Sequence, residues 1–164
     1  MKLMIVLLIG GLSFNLTACG NSTETVSTQD GVTKEQAAQV LNGYLQVKDA
    51  LVQTDGTAAN KAAAGLVTAL GDAEDDILAK IKADAGKLAA TEDVEEQRAA
   101  FNTLSDNVYE LVKATGANKN TVYRQFCPMA FDNTGAFWLS EEEEIANPYF
   151  GDKMLKCGSV KEKL

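Results

Sequence analysis

Thr91-Glu-Asp-Val-Glu-Glu-Gln-Arg-Ala-Ala-Phe-Asn-Thr-Leu-Ser-Asp-Asn-Val-Tyr-Glu-Leu-Val-Lys-Ala-Thr-Gly116 is a helix written with both of its ends. The acids of Thr91-Glu92-Asp93 stand where the positive end of a helix dipole favours them. Phe101, Leu104, Val108, Leu111 and Val112 recur at three- and four-residue steps and mark one buried stripe. Gly116 supplies the stop. A helix of this length with a single apolar face needs partners, and the chain before it provides them.

Thr33 is a candidate N-cap, with Gln36 placed to complete a capping box. From Lys34 to about Gln53 the positions Ala37, Leu41, Tyr44, Leu45, Lys48, Leu51 and Val52 keep helical spacing, with Lys48 as the one polar intruder. Thr54-Asp55-Gly56-Thr57 is a turn in which Asp55 or Thr57 caps the next helix. Residues 58–90 are alanine-rich, with Leu66, Leu70, Ala73, Ile77, Ile81, Ala85 and Leu88 in step. Gly71-Asp72 places a stop and a new cap side by side, which favours two helices, or one kinked there. Residues 33–116 therefore predict a small antiparallel bundle of three or four helices, and the fold class is mainly α.

Upstream, Lys2 is followed by the apolar run Leu3–Leu12, too short to span a bilayer as a stable helix, and then by Leu16-Thr-Ala-Cys19. This is the pattern of a lipoprotein signal peptide over 1–18, cut before Cys19, which becomes an acylated N-terminus. Residues 19–32 are rich in Asn, Ser, Thr, Gly and Gln and read as a flexible tether. The expected location is the bacterial cell envelope, anchored by lipid alone. Gly20 after the cysteine favours the outer membrane, facing the periplasm. The compartment is then outside the cytosolic thiol buffer.

The net charge of −8 argues against nucleic acid and against electrostatic docking to anionic lipid. There is no histidine, so the commonest general base and the commonest metal ligand are both missing.

After Gly116 the character changes. Aromatics concentrate, both prolines (Pro128 and Pro148) occur, and turn signals stand at Asp132-Asn-Thr-Gly135 and Asn147-Pro148. Residues 117–164 are expected to form an irregular, aromatic-rich part with a short strand over Ala136–Leu139 after a hairpin turn. Ser140 followed by Glu141–Glu144 reads as a helix start with a solvated acidic first turn.

Sulfur is concentrated in the same region. Beyond the leader and Cys19, the cysteines are Cys127 and Cys157 and the methionines are Met129 and Met154. Core-filling methionines would be spread through the bundle as well, and they are not. Pro128 holds Cys127 extended, and Met154 and Cys157 lie one helical turn apart. Two thiols and two thioethers make a soft donor set that suits Cu(I), then Ag(I), Hg(II) or Zn(II). Lys153 and Lys156 stand near enough in sequence to lower a thiol pKa. The competing reading is a Cys127–Cys157 disulfide, an even pair in an oxidising compartment. It would close a loop of roughly thirty residues and contribute on the order of 3–4 kcal/mol. On the residues alone the two readings stand level, and both can hold in turn.

Tyr123-x-x-Phe-Cys-Pro-Met-Ala, Gly135-Ala-Phe-Trp-Leu-Ser and Ile145-x-Asn-Pro-Tyr-Phe-Gly-x-x-Met-Leu-x-Cys-Gly together resemble the DUF3347 family over roughly residues 35–162. That family comprises small secreted or lipid-anchored bacterial proteins, and its domain is appended to some copper/silver efflux periplasmic adaptors. The resemblance implies heavy-metal handling, chiefly copper, with a heavy-metal efflux adaptor or a copper chaperone as partner. Cys127, Met129, Met154 and Cys157 are the matching ligand positions. Trp138, Asn147 and Tyr149 would shape the loop and shield it. No histidine of the kind found in the helical region of relatives is present. No catalytic residue is expected: the cysteines are not Cys-x-x-Cys, and nothing is present to activate a nucleophile.

Overall fold

The computed structural model describes residues 31–164. The expected signal peptide, Cys19 and most of the expected tether lie outside the described residues. Four helices come first: α1 (Lys34–Val52), α2 (Gly56–Leu70), α3 (Asp76–Ala89) and α4 (Val94–Thr115). A three-stranded antiparallel sheet follows, made of β1 (Tyr123–Cys127), β2 (Ala136–Ser140) and β3 (Ser159–Lys163) in the order β2-β1-β3. The chain is thus mainly helical, with the small sheet in its C-terminal part.

Each helix begins where a side chain can take up an orphan amide. Thr33 accepts from the Gln36 amide at 3.1 Å while Gln36 returns the bond to the Thr33 amide at 2.9 Å. Asp55 caps α2 through the Ala58 amide at 2.8 Å, and Asp93 caps α4 through the amides of Glu95 and Glu96. Gly116 ends α4 in the left-handed conformation, at φ 58°. The break between α2 and α3 falls at Gly71, as expected, but the new cap is Asp75, not Asp72. Val32, expected at the end of the tether, is instead buried at 1 % exposure, so the core takes in the residue just ahead of the capping box.

Tyr44 ties the two parts together. Its ring stacks on Phe101 of α4, with centroids 5.1 Å apart and planes 13° from parallel. Its hydroxyl meets Ser105 Oγ at 2.9 Å and accepts the Leu139 amide of β2 at 2.9 Å. β2 is an edge strand, and this bond satisfies a donor the edge would otherwise leave bare. Burial pushes the Tyr44 phenol far above its usual range, so it serves as a neutral hydrogen-bonding group. Tyr44, Phe101 and Trp138 are all fully buried, and each such side chain contributes on the order of 1.5–3 kcal/mol by leaving water.

Lys48 is buried along α1 and pairs its ammonium with Asp49. Residues 141–144 are not helical. Ser140 is the last residue of β2, and its Oγ accepts the Glu142 amide in a turn, while Gln125 Nε2 donates to the carbonyls of Glu142 and Glu143. The serine cap signature is genuine here but serves a turn held by a buried glutamine. No helix among the described residues is long and apolar enough to cross a membrane.

Candidate functional site

Two arms build the site. In the first, strand alternation turns Gln125 and Cys127 of β1 inward, both at 0 % exposure. Pro128 then takes the chain out of the sheet and Met129 emerges 48 % exposed. Phe131, Asp132 and Asn133 follow in the left-handed region, at φ 50°, 54° and 67°. Such a run costs about 1–2 kcal/mol per non-glycine residue, and it leaves Phe131 39 % exposed beside Met129.

The second arm runs from Ile145 to Gly158, and Asn147 is its organiser. Fully buried, Asn147 donates from Nδ2 to the Cys157 carbonyl at 2.8 Å and accepts the Tyr149 amide on Oδ1 at 2.8 Å. Its backbone carries two further bonds, to Leu155 and from Gly151. Arg98 of α4 pins the arm from the other side, donating to the Pro148 carbonyl at 2.9 Å and to Thr54 Oγ1 at 3.3 Å. Gly151 has φ 57°, and a Cβ there would lie 2.2 Å from Thr54 Oγ1, so only glycine lets the arm approach this closely.

The arms meet at sulfur. Cys127 Sγ and Cys157 Sγ lie 2.7 Å apart, in direct contact and beyond the roughly 2.05 Å of a formed disulfide. Met154 does not share a helical turn with Cys157. A short 3₁₀ turn, Gly151–Lys153, ends before it, and the Cys157 amide closes a tight turn onto the Met154 carbonyl at 3.0 Å. Met129 and Met154 line one open surface depression of about 520 Å³, together with Glu95, Arg98, Phe131 and Phe150. Neither cysteine lines that depression. The structure therefore joins the two thiols directly and places the two thioethers on a shared neighbouring surface.

Trp138 lies buried beneath Gly158, where a Cβ would come within 2.9 Å of the indole. Tyr149 donates to the Phe137 carbonyl at 2.6 Å and meets the rings of Trp138, Phe131 and Phe101. Burial raises its phenol well above the usual range. The Cys157 thiol is pushed up, chiefly by its hydrogen bond with Cys127 and then by burial, against an opposing bond from the Met129 amide. The expectation that Lys156 lowers a thiol pKa fails, because its ammonium is paired with Glu144. Arg98 was not legible as part of the site: a charged residue beside a helical stripe reads as solvated, and only the arm folded over it buries it.

Among the described residues, no group of three or more His, Cys, Asp or Glu is arranged to hold a metal ion. The soft donors of the two arms are two thiols in contact and two thioethers that line one depression, a set that suits a soft, low-coordinate ion. Metal–sulfur bonds of about 2.3 Å, as in zinc thiolates, would hold two thiolates farther apart than the 2.7 Å seen here. Binding would require the pair to part.

The family model described as a protein of unknown function (DUF3347) matches residues 40–120. That match covers most of α1, all of α2 to α4 and the start of the link to β1, and it does not reach the sulfur-bearing segments. No curated protein and no solved structure gives a significant match to the chain. The helical part is therefore what carries the assignment: the chain belongs to the DUF3347 family.

Proposed function

We propose that this chain is a non-catalytic, membrane-tethered protein of the bacterial envelope that binds a soft metal ion, Cu(I), through Cys127 and Cys157. Met129 and Met154 supply thioethers at the mouth. The protein then buffers the ion or hands it to a heavy-metal efflux adaptor or a copper chaperone, and Ag(I) would compete for the same donors. The observation that carries this reading is the meeting of Cys127 and Cys157 from separate arms, with Met129 and Met154 of the same two arms lining one depression. Such a donor set has little use for Mg(II) or Ca(II), which take oxygen ligands. The lipobox-like Leu16–Cys19 supports the anchor, and Asn147 and Trp138 hold the second cysteine arm in place. Titration of the reduced protein with Cu(I) against a chromophoric Cu(I) chelator tests the proposal.

A second reading is favoured by the separation itself. At 2.7 Å the sulfurs are much nearer to bonding distance, about 2.03–2.05 Å, than a metal-bridged pair would be. In that reading a Cys127–Cys157 disulfide clamps an interaction surface, and no metal is bound. Thiol counting on protein taken from its native compartment separates the two: the disulfide reading gives none beyond an unmodified Cys19, and the metal reading gives two in the loaded form.

A further inference from the structure

The two thiols of the pair are not equivalent. Cys127 is fully buried at the end of β1, the central strand of the sheet. Cys157 is only partly buried and sits on a turn, its amide closed onto the Met154 carbonyl. An incoming disulfide can reach one of these sulfurs and not the other. The buried one lies in contact with its partner and is aimed at it.

We propose that the pair carries out thiol–disulfide exchange with a fixed division of labour, Cys157 as the exchanging sulfur and Cys127 as the resolving one. The inference deepens the proposed function and rests on the same pair. It makes metal capture conditional on redox state, because the oxidised pair has no thiolate to offer. The co-reactant is a small external disulfide such as oxidised glutathione. Cys157, as thiolate, attacks one of its sulfurs; the Cys157–glutathione bond forms, and reduced glutathione leaves with the electron pair. Cys127 then loses its proton and attacks Cys157 Sγ. The Cys127–Cys157 bond forms and a second glutathione thiolate leaves, so the chain is oxidised by two electrons and one glutathione disulfide is reduced to two thiols.

The test uses the full chain in a Cys19→Ser background, reduced and then exposed to oxidised glutathione, with adducts mapped by mass spectrometry. The Cys127→Ser variant is expected to trap one stable glutathione on Cys157. The Cys157→Ser variant should react at Cys127 at least about tenfold more slowly, and the parent should end as an internal disulfide without retained glutathione. Equal labelling of the two single-cysteine chains, or faster labelling of Cys127, would overturn the assignment. Should either variant fold poorly, a brief pulse on the parent with acid quench reads the same order, since the first adduct must map to Cys157. The metal is followed separately with a Cu(I) chelator. A chain that exchanges in this order yet never competes for Cu(I) supports the inference and sinks the metal reading. A chain that binds Cu(I) but labels first at Cys127 sinks the inference alone.

Discussion

Tyr44 in the first helix accepts the backbone amide of Leu139 in β2, 95 residues away, at 2.9 Å. This bond, with the stack on Phe101, couples the family-defining helices to the sheet that carries Cys127. Tyr44→Phe removes only an oxygen but takes from the buried Leu139 amide and the Ser105 hydroxyl the Tyr44 partner that each has in the core. Unpaired buried groups cost about 1–3 kcal/mol each. Urea unfolding should therefore show a loss of about 2–3 kcal/mol with an unchanged slope. A loss below about 0.5 kcal/mol would mean that water reaches these groups.

Arg98 holds the Asn147–Gly151 arm by a fork that no other side chain reproduces. Its Nε reaches Pro148, one terminal nitrogen faces Glu95, and the other faces Leu51 and Thr54. Arg98→Lys keeps the charge and loses the geometry. The expected cost is about 2 kcal/mol, with faster hydrogen exchange at the Tyr149 and Gly151 amides than elsewhere. Uniform protection in the variant would show that the arm is held by the sulfur pair instead.

At the far edge of the sheet, Glu162 of β3 accepts from Tyr109 Oη at 2.7 Å and from Lys113 at 3.2 Å. The Tyr109 hydroxyl first, and Lys113 second, hold its carboxyl below the usual value. A depressed carboxyl adds stability that is present above its unfolded value, near 4.3, and is lost as pH falls through the lower folded value. Stability should accordingly fall more steeply below about pH 4.3 in the parent than in Glu162→Gln, as followed by thermal melts across acid pH. Burial raises Asp106 and acts in the opposite sense, so the difference between the two chains, not either curve alone, reads Glu162. Parallel acid curves would show that Glu162 contributes nothing to the acid dependence of stability.

The bundle could be read from residues 33–116 because caps, stripe and stop agree at each helix. Thr33 with Gln36, Phe101 with Leu104, and Gly116 all act in the structure as the spacing implies. β3 was not foreseen: Ser159-Val-Lys-Glu-Lys163 has one apolar residue, as suits a charged edge strand, and its pairing with β1 comes from register, not composition. Ser140-Glu-Glu-Glu misled because a serine that caps a helix and one that closes a turn accept the same kind of amide. The contact between Cys127 and Cys157 was legible as a possibility from count alone. Its partners were not, since the burial of Arg98 and Asn147 depends on chain that folds back from about fifty residues away or ten residues on.

Oxidation of the pair is expected to stabilise the fold whether or not metal is bound. Closing the 30-residue separation between Cys127 and Cys157 should contribute about 3–4 kcal/mol through the unfolded chain. Urea midpoints of the oxidised and reduced protein, compared at equal slope, give this number. An oxidised form no more stable than the reduced one would show that bonding distorts the two arms.

Soft-metal binding at the Cys127–Cys157 pair stands or falls on a titration of the fully reduced chain with Cu(I) against a chromophoric chelator, in a Cys19→Ser background. One tightly held Cu(I) per chain is expected, lost in Cys127→Ser and in Cys157→Ser and weakened about tenfold or more in Met129→Leu/Met154→Leu. Undetectable competition by a folded, reduced chain, or binding that survives removal of either cysteine, would contradict it.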